Sequence, residues 1–279
     1  MEPLEALTYL ALGLVGGVIG GMLGVGGAIG IIPLATVLLA PGKDQLQAAA
    51  MVSNLAVAAA AYRRYRRAGQ TDWAVARRMV PWTLGAVLVG VAASTWIDGG
   101  AFRLLFAAFL VVVSLREAAQ LLREGRPVPA LTATPAAAGA SHAVAADVRP
   151  AVAGLIGTAM GGLSGLLGVG GGVVAVPMLR GIARMPVRAA VTTSVCAMLP
   201  LAAVGATLKM STLVAEGTAG PAAWIAACLV PGAALGSTLG ASLHLKVTAR
   251  SVRWVLVAWL PAAAAWMSWP VVGGWLAGR

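Results

Sequence analysis

The sequence predicts an all-α polytopic membrane protein made of two inverted repeats, each a glycine-rich broken or re-entrant helix followed by three transmembrane spans. Three observations carry that prediction. The 279-residue chain is 59% hydrophobic and only 10% charged, where a soluble domain carries roughly 25% charged residues. Several apolar runs reach the ~20 residues that cross a bilayer. Finally, Gly13 to Pro33 (GLVGGVIGGMLGVGGAIGIIP) is written again as Gly157 to Pro177 (GTAMGGLSGLLGVGGGVVAVP), with nine of 21 positions identical at an offset of 144.

The first apolar block runs from Leu7 to Ala40. As one straight helix it would be roughly 50 Å long, too long for a hydrocarbon core of about 30 Å. Gly24, Gly26 and Gly27 weaken its middle and Pro33 lacks a backbone donor, so two half-helices meeting at the glycines are expected. Pro41 to Asp44 reads as a turn, and a span from Gln45 to Tyr62 follows, closed by Arg63, Arg64, Tyr65, Arg66 and Arg67. A polar loop through Asp72 and Arg78 leads to a span from Val80 to Ile97. Asp98, Gly99 and Gly100 then turn the chain into a span from Ala101 to Leu122. Residues 1–122 form the first membrane repeat.

Residues 123–150 are rich in Ala, Pro and Thr without an apolar period, which reads as a flexible cytoplasmic linker. Residues 151–279 form the second repeat. It holds a broken block from Ala151 to Leu179, then spans Ala189 to Leu208, Pro221 to Leu245 and Trp254 to Trp275. Tryptophans at span ends suit interfacial belts. The opening MEPLEALTYL has no basic residue, so a cleaved signal peptide is not expected.

Basic residues orient the spans. If both broken blocks are hairpins that return to the side they entered and the N-terminus is outside, 16 of the 20 Lys and Arg lie inside. The alternative of eight full transmembrane spans, with the N-terminus inside, leaves only 12 inside against 8. The positive-inside rule favours the hairpins, which also makes each half an odd number of crossings and the halves inverted.

The net charge of +11 is therefore a topology and phospholipid signal rather than a nucleic-acid footprint, and no nucleic-acid partner is expected. In a hairpin, the second half-helix begins near the glycines with unpaired N–H groups and a positive dipole end. Gly24, Gly26 and Gly27, and Gly168, Gly170, Gly171 and Gly172, are candidates for two anion-facing backbone cradles. Close helix packing is the other reading of these glycines. It is the one assigned to the regular stripes Gly13, Gly17, Gly21 and Gly157, Gly161, Gly165. The span after each block carries a polar patch, AAMVSNL in the first half and AAVTTSV in the second. Ser53, Asn54, Thr193 and Ser194 are candidate anion donors, or else hydroxyls bonded back onto their own helices.

All nine acids lie near span ends or in loops, which disfavours a cation site and favours an anionic or neutral substrate. Cys196 and Cys228 read as small hydrophobes, His244 as interfacial, and His142 has no role. No enzyme motif is visible, and the glycines fail the dinucleotide spacing at Ile29 and Val173. No enzymatic activity, cofactor or metal is expected.

At these residues the chain resembles the sulfite exporter TauE/SafE family of membrane permeases. The resemblance rests on Gly168-Val169-Gly170-Gly171-Gly172 with Pro177, and on Gly24-Val25-Gly26-Gly27-Ala28 with Pro33, where Ala28 departs from the glycine. A patch of Ala190, Thr193 and Ser194 adds to it, altered to Ser53-Asn54 in the first half. The resemblance implies export of sulfite, sulfoacetate or related organosulfonates. The expectation is thus an inner-membrane, multi-pass carrier of small sulfur-containing anions working by alternating access. Its partners would be the anion and the lipid bilayer, with a homodimer left open. An anion channel and a non-transporting scaffold or anchor subunit are the rivals.

Overall fold

A computed structural model of the chain describes residues 3–68, 71–123, 148–244 and 249–276. Nearly all of the linker expected at 123–150 lies outside them. Ten helices occupy the described residues. The first half holds α1 (Pro3–Leu23), α2 (Ala28–Leu38), α3 (Lys43–Ala68), α4 (Trp73–Thr95) and α5 (Gly99–Arg123). The second holds α6 (Pro150–Leu167), α7 (Gly172–Gly181), α8 (Val187–Ala215), α9 (Ala219–His244) and α10 (Ala249–Leu276). Six of them, α1, α4, α5, α6, α8 and α9, are long and apolar enough to cross a membrane. Large apolar side chains such as Leu4, Val89, Trp96 and Trp269 stand exposed on the outside, as lipid requires and water would penalise.

The break falls after Leu23 in one block and after Leu167 in the other. Its arms are unequal, which differs from the two half-helices the sequence suggested. The first arms, of 21 and 18 residues, are of spanning length, while α2 and α7, with 11 and 10, reach only roughly 16 Å. Each short arm folds back on the long one. A Cβ built on Gly16 would strike Ile31 and the Gly27 carbonyl, and one on Gly30 would meet Ile19 and Gly16. Each block thus reverses the chain instead of running straight through, as eight continuous spans would require.

Glycine stripes let the long arms approach their partners. On α1, a Cβ at Gly13, Gly17 or Gly21 would lie 2.3–2.4 Å from the carbonyl oxygens of Leu229, Ala233 or Ser237 on α9. The glycines of α9 reciprocate: Gly232, Gly236 and Gly240 meet the carbonyls of Leu10, Leu14 and Val18. In the same way Gly157, Gly161 and Gly165 of α6 pack on Met79, Thr83 and Val87 of α4. These are backbone-to-backbone contacts that any side chain would prise open. Residue numbers rise together along both pairs, so α1 runs with α9 and α6 runs with α4. Each half therefore places its long arm against a helix of the other half. Between them, α3 packs on α8 in opposite directions, Asp44 meeting Lys209 at one end and Met51 lying near Gly205 further along. Ser237 donates to the Val57 carbonyl, tying α9 to α3.

Candidate functional site

The two breaks meet each other. At the first, Gly24 and Gly26 have φ of +67° and +88°; at the second, Gly168, Gly170 and Gly171 have +75°, +85° and +72°. These left-handed turns are cheap for glycine alone. A Cβ on Gly172 would sit 2.0 Å from the Gly24 carbonyl oxygen, and one on Gly26 would sit 2.9 Å from that of Val169. Both tips are buried throughout. Their main chains touch.

Side chains from the facing helices brace the contact. Asn54 on α3 accepts a hydrogen bond from the Ala28 N–H at 3.2 Å through its Oδ1, and its Nδ2 donates to the Gly168 carbonyl at 2.9 Å. It therefore links both tips. Ser194 on α8 donates to the Gly24 carbonyl at 3.3 Å. In each tip the first glycine's carbonyl is thus held by the other half's long helix. Ser164 accepts from the Gly170 N–H.

Several donors stay free. Among the described residues, no hydrogen-bond partner meets the N–H groups of Gly26 and Gly27 in the first tip, or of Val169 and Gly171 in the second. Such groups at a helix start carry the positive end of the dipole and suit an anion's oxygens. Among the described residues, no Asp or Glu meets the glycines of either tip. The two cavities described lie instead at opposite ends of the helices, one beside Lys43 and Arg103 and one beside Arg63 and Arg64.

The structure brings together Gly24, Gly26, Asn54, Gly168, Gly170, Gly172 and Ser194. The other candidates differ: Gly27 and Gly171 belong to the tips and leave their N–H groups unpaired, but their Cα faces turn away from the tip contact, while Thr193 and Ser53 lie off it. Gly27 packs against Gly16, and Gly171 against Met160 and Leu201. Thr193 accepts from the Asp72 N–H and so steadies the start of α4, where Asp72 caps the N–H groups of Ala74 and Val75 at 3.0 Å. Ser53 is fully buried with no partner for its hydroxyl.

Three residues that the sequence reading left aside hold the helices around the tips together. Gln47 donates to the carbonyls of Gly165 and Leu166 at the end of α6, and Tyr65 donates to that of Gly21 near the end of α1. Both satisfy helix-end acceptors that have no partner within their own helix. Lys209 is the third. Expected just beyond a span ending at Leu208, it lies inside α8 with only 1% of its surface exposed. It pairs with Asp44 at 2.7 Å and donates to Ser94 Oγ at 3.0 Å. Its only sequence signal is that Met210 and then Leu213, Val214 and Ala215 keep apolar residues coming past it.

Lipid-facing helices closed around two interrupted, mutually braced blocks define a multi-pass membrane protein. The chain belongs to the Sulfite exporter TauE/SafE family, whose model matches residues 9–267. It is similar to the probable membrane transporter protein MamO of Magnetospirillum gryphiswaldense, with 24% identity over 91% of this chain and 43% of that one. The MamO of Paramagnetospirillum magneticum is 25% identical over 93% of this chain and 44% of its own. The chain thus spans less than half the length of these two relatives. The probable membrane transporter protein YunE of Bacillus subtilis is 26% identical over 88% of this chain and 91% of its own. No solved structure matches the chain.

Proposed function

We propose that the chain is a secondary carrier of the cell inner membrane that exports small sulfur-containing anions, such as sulfite, sulfoacetate or related organosulfonates, by alternating access. The observation that carries the reading is the meeting of two glycine tips with unpaired N–H groups and no carboxylate in contact. Main-chain amides then recognise the anion, and no cationic side chain needs to be buried at that depth. The family's description supplies the sulfur oxyanion class.

The halves act as an inverted pair. Supporting this, α1 and α3 run with α9, while α6 and α4 run with α8 and against α3. The arginine-rich end, where α3 and α5 finish and α8 begins, faces the cytoplasm. Arginines there raise the local anion concentration at the inner mouth. With Gly24 and Gly172 in contact, the tips are closed on one another. An anion enters when α3 and α8 part and uncover the N–H groups.

Counterflow in proteoliposomes tests the reading. Vesicles loaded with unlabelled sulfite should transiently accumulate radiolabelled sulfite above equilibrium, and Gly170→Leu, which strains a left-handed position packed on Asn54, should abolish that accumulation. Equilibration without overshoot would identify a channel. No sulfite, sulfonate or thiosulfate movement under any gradient would leave a scaffold.

A further inference from the structure

A cavity of about 540 Å³ lies between α3 and α9 near their C-terminal ends, lined by Ala60, Arg63, Arg64, Leu235, Leu239 and Ser242, among others. Its two ends differ in chemistry. Toward the ends of the helices stand Arg63 and Arg64, both exposed, with Arg64 Nε donating to Ser242 Oγ at 3.0 Å. Along the helices stand alanines together with Leu235 and Leu239, which are 62% and 55% exposed. Among the described residues, no acid lines it. A ligand matching both ends has an anionic oxygen-rich head and an apolar tail.

The repeat supplies a control. At the offset of 144, the positions of Arg63 and Arg64 become Thr207 and Leu208 on α8, and that of Ser242 becomes Asp98 beyond α4. The packing of α3 with α9 thus recurs as α8 with α4, but with no cation at the two arginine positions and an acid in place of the serine; the neighbouring Lys209 matches Tyr65 and is buried against Asp44 and Ser94. The fold does not need the arginine pair. It belongs to one end of the molecule only, the end where basic residues gather.

We propose that this groove is a binding site for an anionic diacyl phospholipid, its phosphate held by Arg63 and Arg64 and its acyl chain laid along Leu235 and Leu239, with Ser242, whose hydroxyl donates to the Thr238 carbonyl, orienting Arg64. Basic pockets between spanning helices bind such headgroups, and each arginine adds to the attraction. The site is independent of which anion the tips carry.

Delipidated full-length protein in mild detergent tests it. Phosphatidylglycerol should raise the unfolding midpoint by about 3 °C or more over phosphatidylcholine. The pair Arg63→Gln/Arg64→Gln should erase that difference, and Arg63→Lys/Arg64→Lys should keep most of it. Native mass spectrometry of the unaltered protein, which needs no variant, should show about thirtyfold preference for phosphatidylglycerol adducts over phosphatidylcholine. Equal binding of the two lipids, or a phosphatidylglycerol shift untouched by the glutamine pair, would overturn the proposal. So would an equal shift from inorganic phosphate or sulfite alone, which would make the groove a vestibule for soluble anions. Counterflow through the tips is read separately, so failure of one reading leaves the other standing.

Discussion

The two tips carry the same four residues, Gly-Val-Gly-Gly, yet their backbones differ. Gly27 has φ −74° and starts α2 in ordinary helical geometry, whereas Gly171, its counterpart, is left-handed at +72°. The cause lies in what meets the next N–H. In the first tip, Asn54 caps Ala28, so the chain enters the helix directly. In the second tip no such side chain among the described residues reaches Gly172, whose N–H turns back to the Gly170 carbonyl at 2.8 Å. That tight turn needs a left-handed residue before it. A glycine repeated in sequence is therefore not repeated in role; a side chain on another helix decides.

The strongest way to break the comparison is Gly172→Ala. Its Cβ would lie 2.0 Å from the Gly24 carbonyl oxygen and 2.8 Å from Val25 Cα, atoms of the opposing backbone that cannot rotate aside. A loss of about 3 kcal/mol or more is expected, read as a lowered unfolding midpoint of purified protein. A midpoint unchanged within error would mean that the tips do not touch.

The halves also differ where α3 and α8 meet. Lys209 and Tyr65 stand at matching positions 144 apart, as do Asp44 and Arg188. One end of the molecule is therefore clasped by the Lys209–Asp44 ion pair, and the other has a tyrosine bonded to a helix end. Asp44→Ala leaves a buried ammonium without its counter-ion and should cost about 3 kcal/mol. Lys209→Met removes the buried charge itself and leaves a half-exposed carboxylate, so its cost should be clearly smaller. Chemical denaturation of the two variants measures the difference, and equal losses would show that the pair is not held as described.

Asn54 and Ser194 sharpen the asymmetry further. Asn54→Ala strands both the Ala28 N–H and the Gly168 carbonyl, at about 1–3 kcal/mol for each buried group left unpaired. Ser194→Ala strands the Gly24 carbonyl alone and should cost about half as much. A double variant whose loss falls short of the sum would show that the two braces act through one another across the tip contact.

Much of this was legible in the sequence because it is local or periodic. The glycine stripes Gly13-Gly17-Gly21 and Gly157-Gly161-Gly165 recur every four residues, and the structure uses them for the packing they suggested. The breaks fall at Gly24 and Gly168, where left-handed glycines end the long arms. What stayed hidden depends on the partner. Gly27 and Gly171 look alike until Asn54 is placed between the tips. Lys209 looked like a span's end because a charge conventionally stops an apolar run, and Asp44, which permits it to be buried, lies 165 residues earlier. Tyr65 sits among four arginines, and nothing local reveals that its ring alone turns inward to α1. Thr193 resembles its neighbour Ser194 in type and depth, but one helical step points it to Asp72 instead of the tip.

The mildest change separates backbone from motif. Ala28→Gly gives the first tip the same Gly-Val-Gly-Gly-Gly as the second. If residue type alone set the geometry, the variant would convert the first tip to the second's conformation. The structure says otherwise, because Asn54 still accepts from the N–H at position 28 and keeps residue 27 helical. The expected cost is therefore only about 0.5–1 kcal/mol, the backbone entropy of a glycine in a helix, with counterflow unchanged. In an Asn54→Ala background that restraint is gone, and the first tip is free to adopt the second tip's turn, which a glycine at position 28 accommodates better than an alanine. There Ala28→Gly should be neutral or stabilising. A thermal-melt cycle over the four proteins reads this as a change of sign, and an equal cost in both backgrounds would mean that Asn54 does not set the difference between the tips.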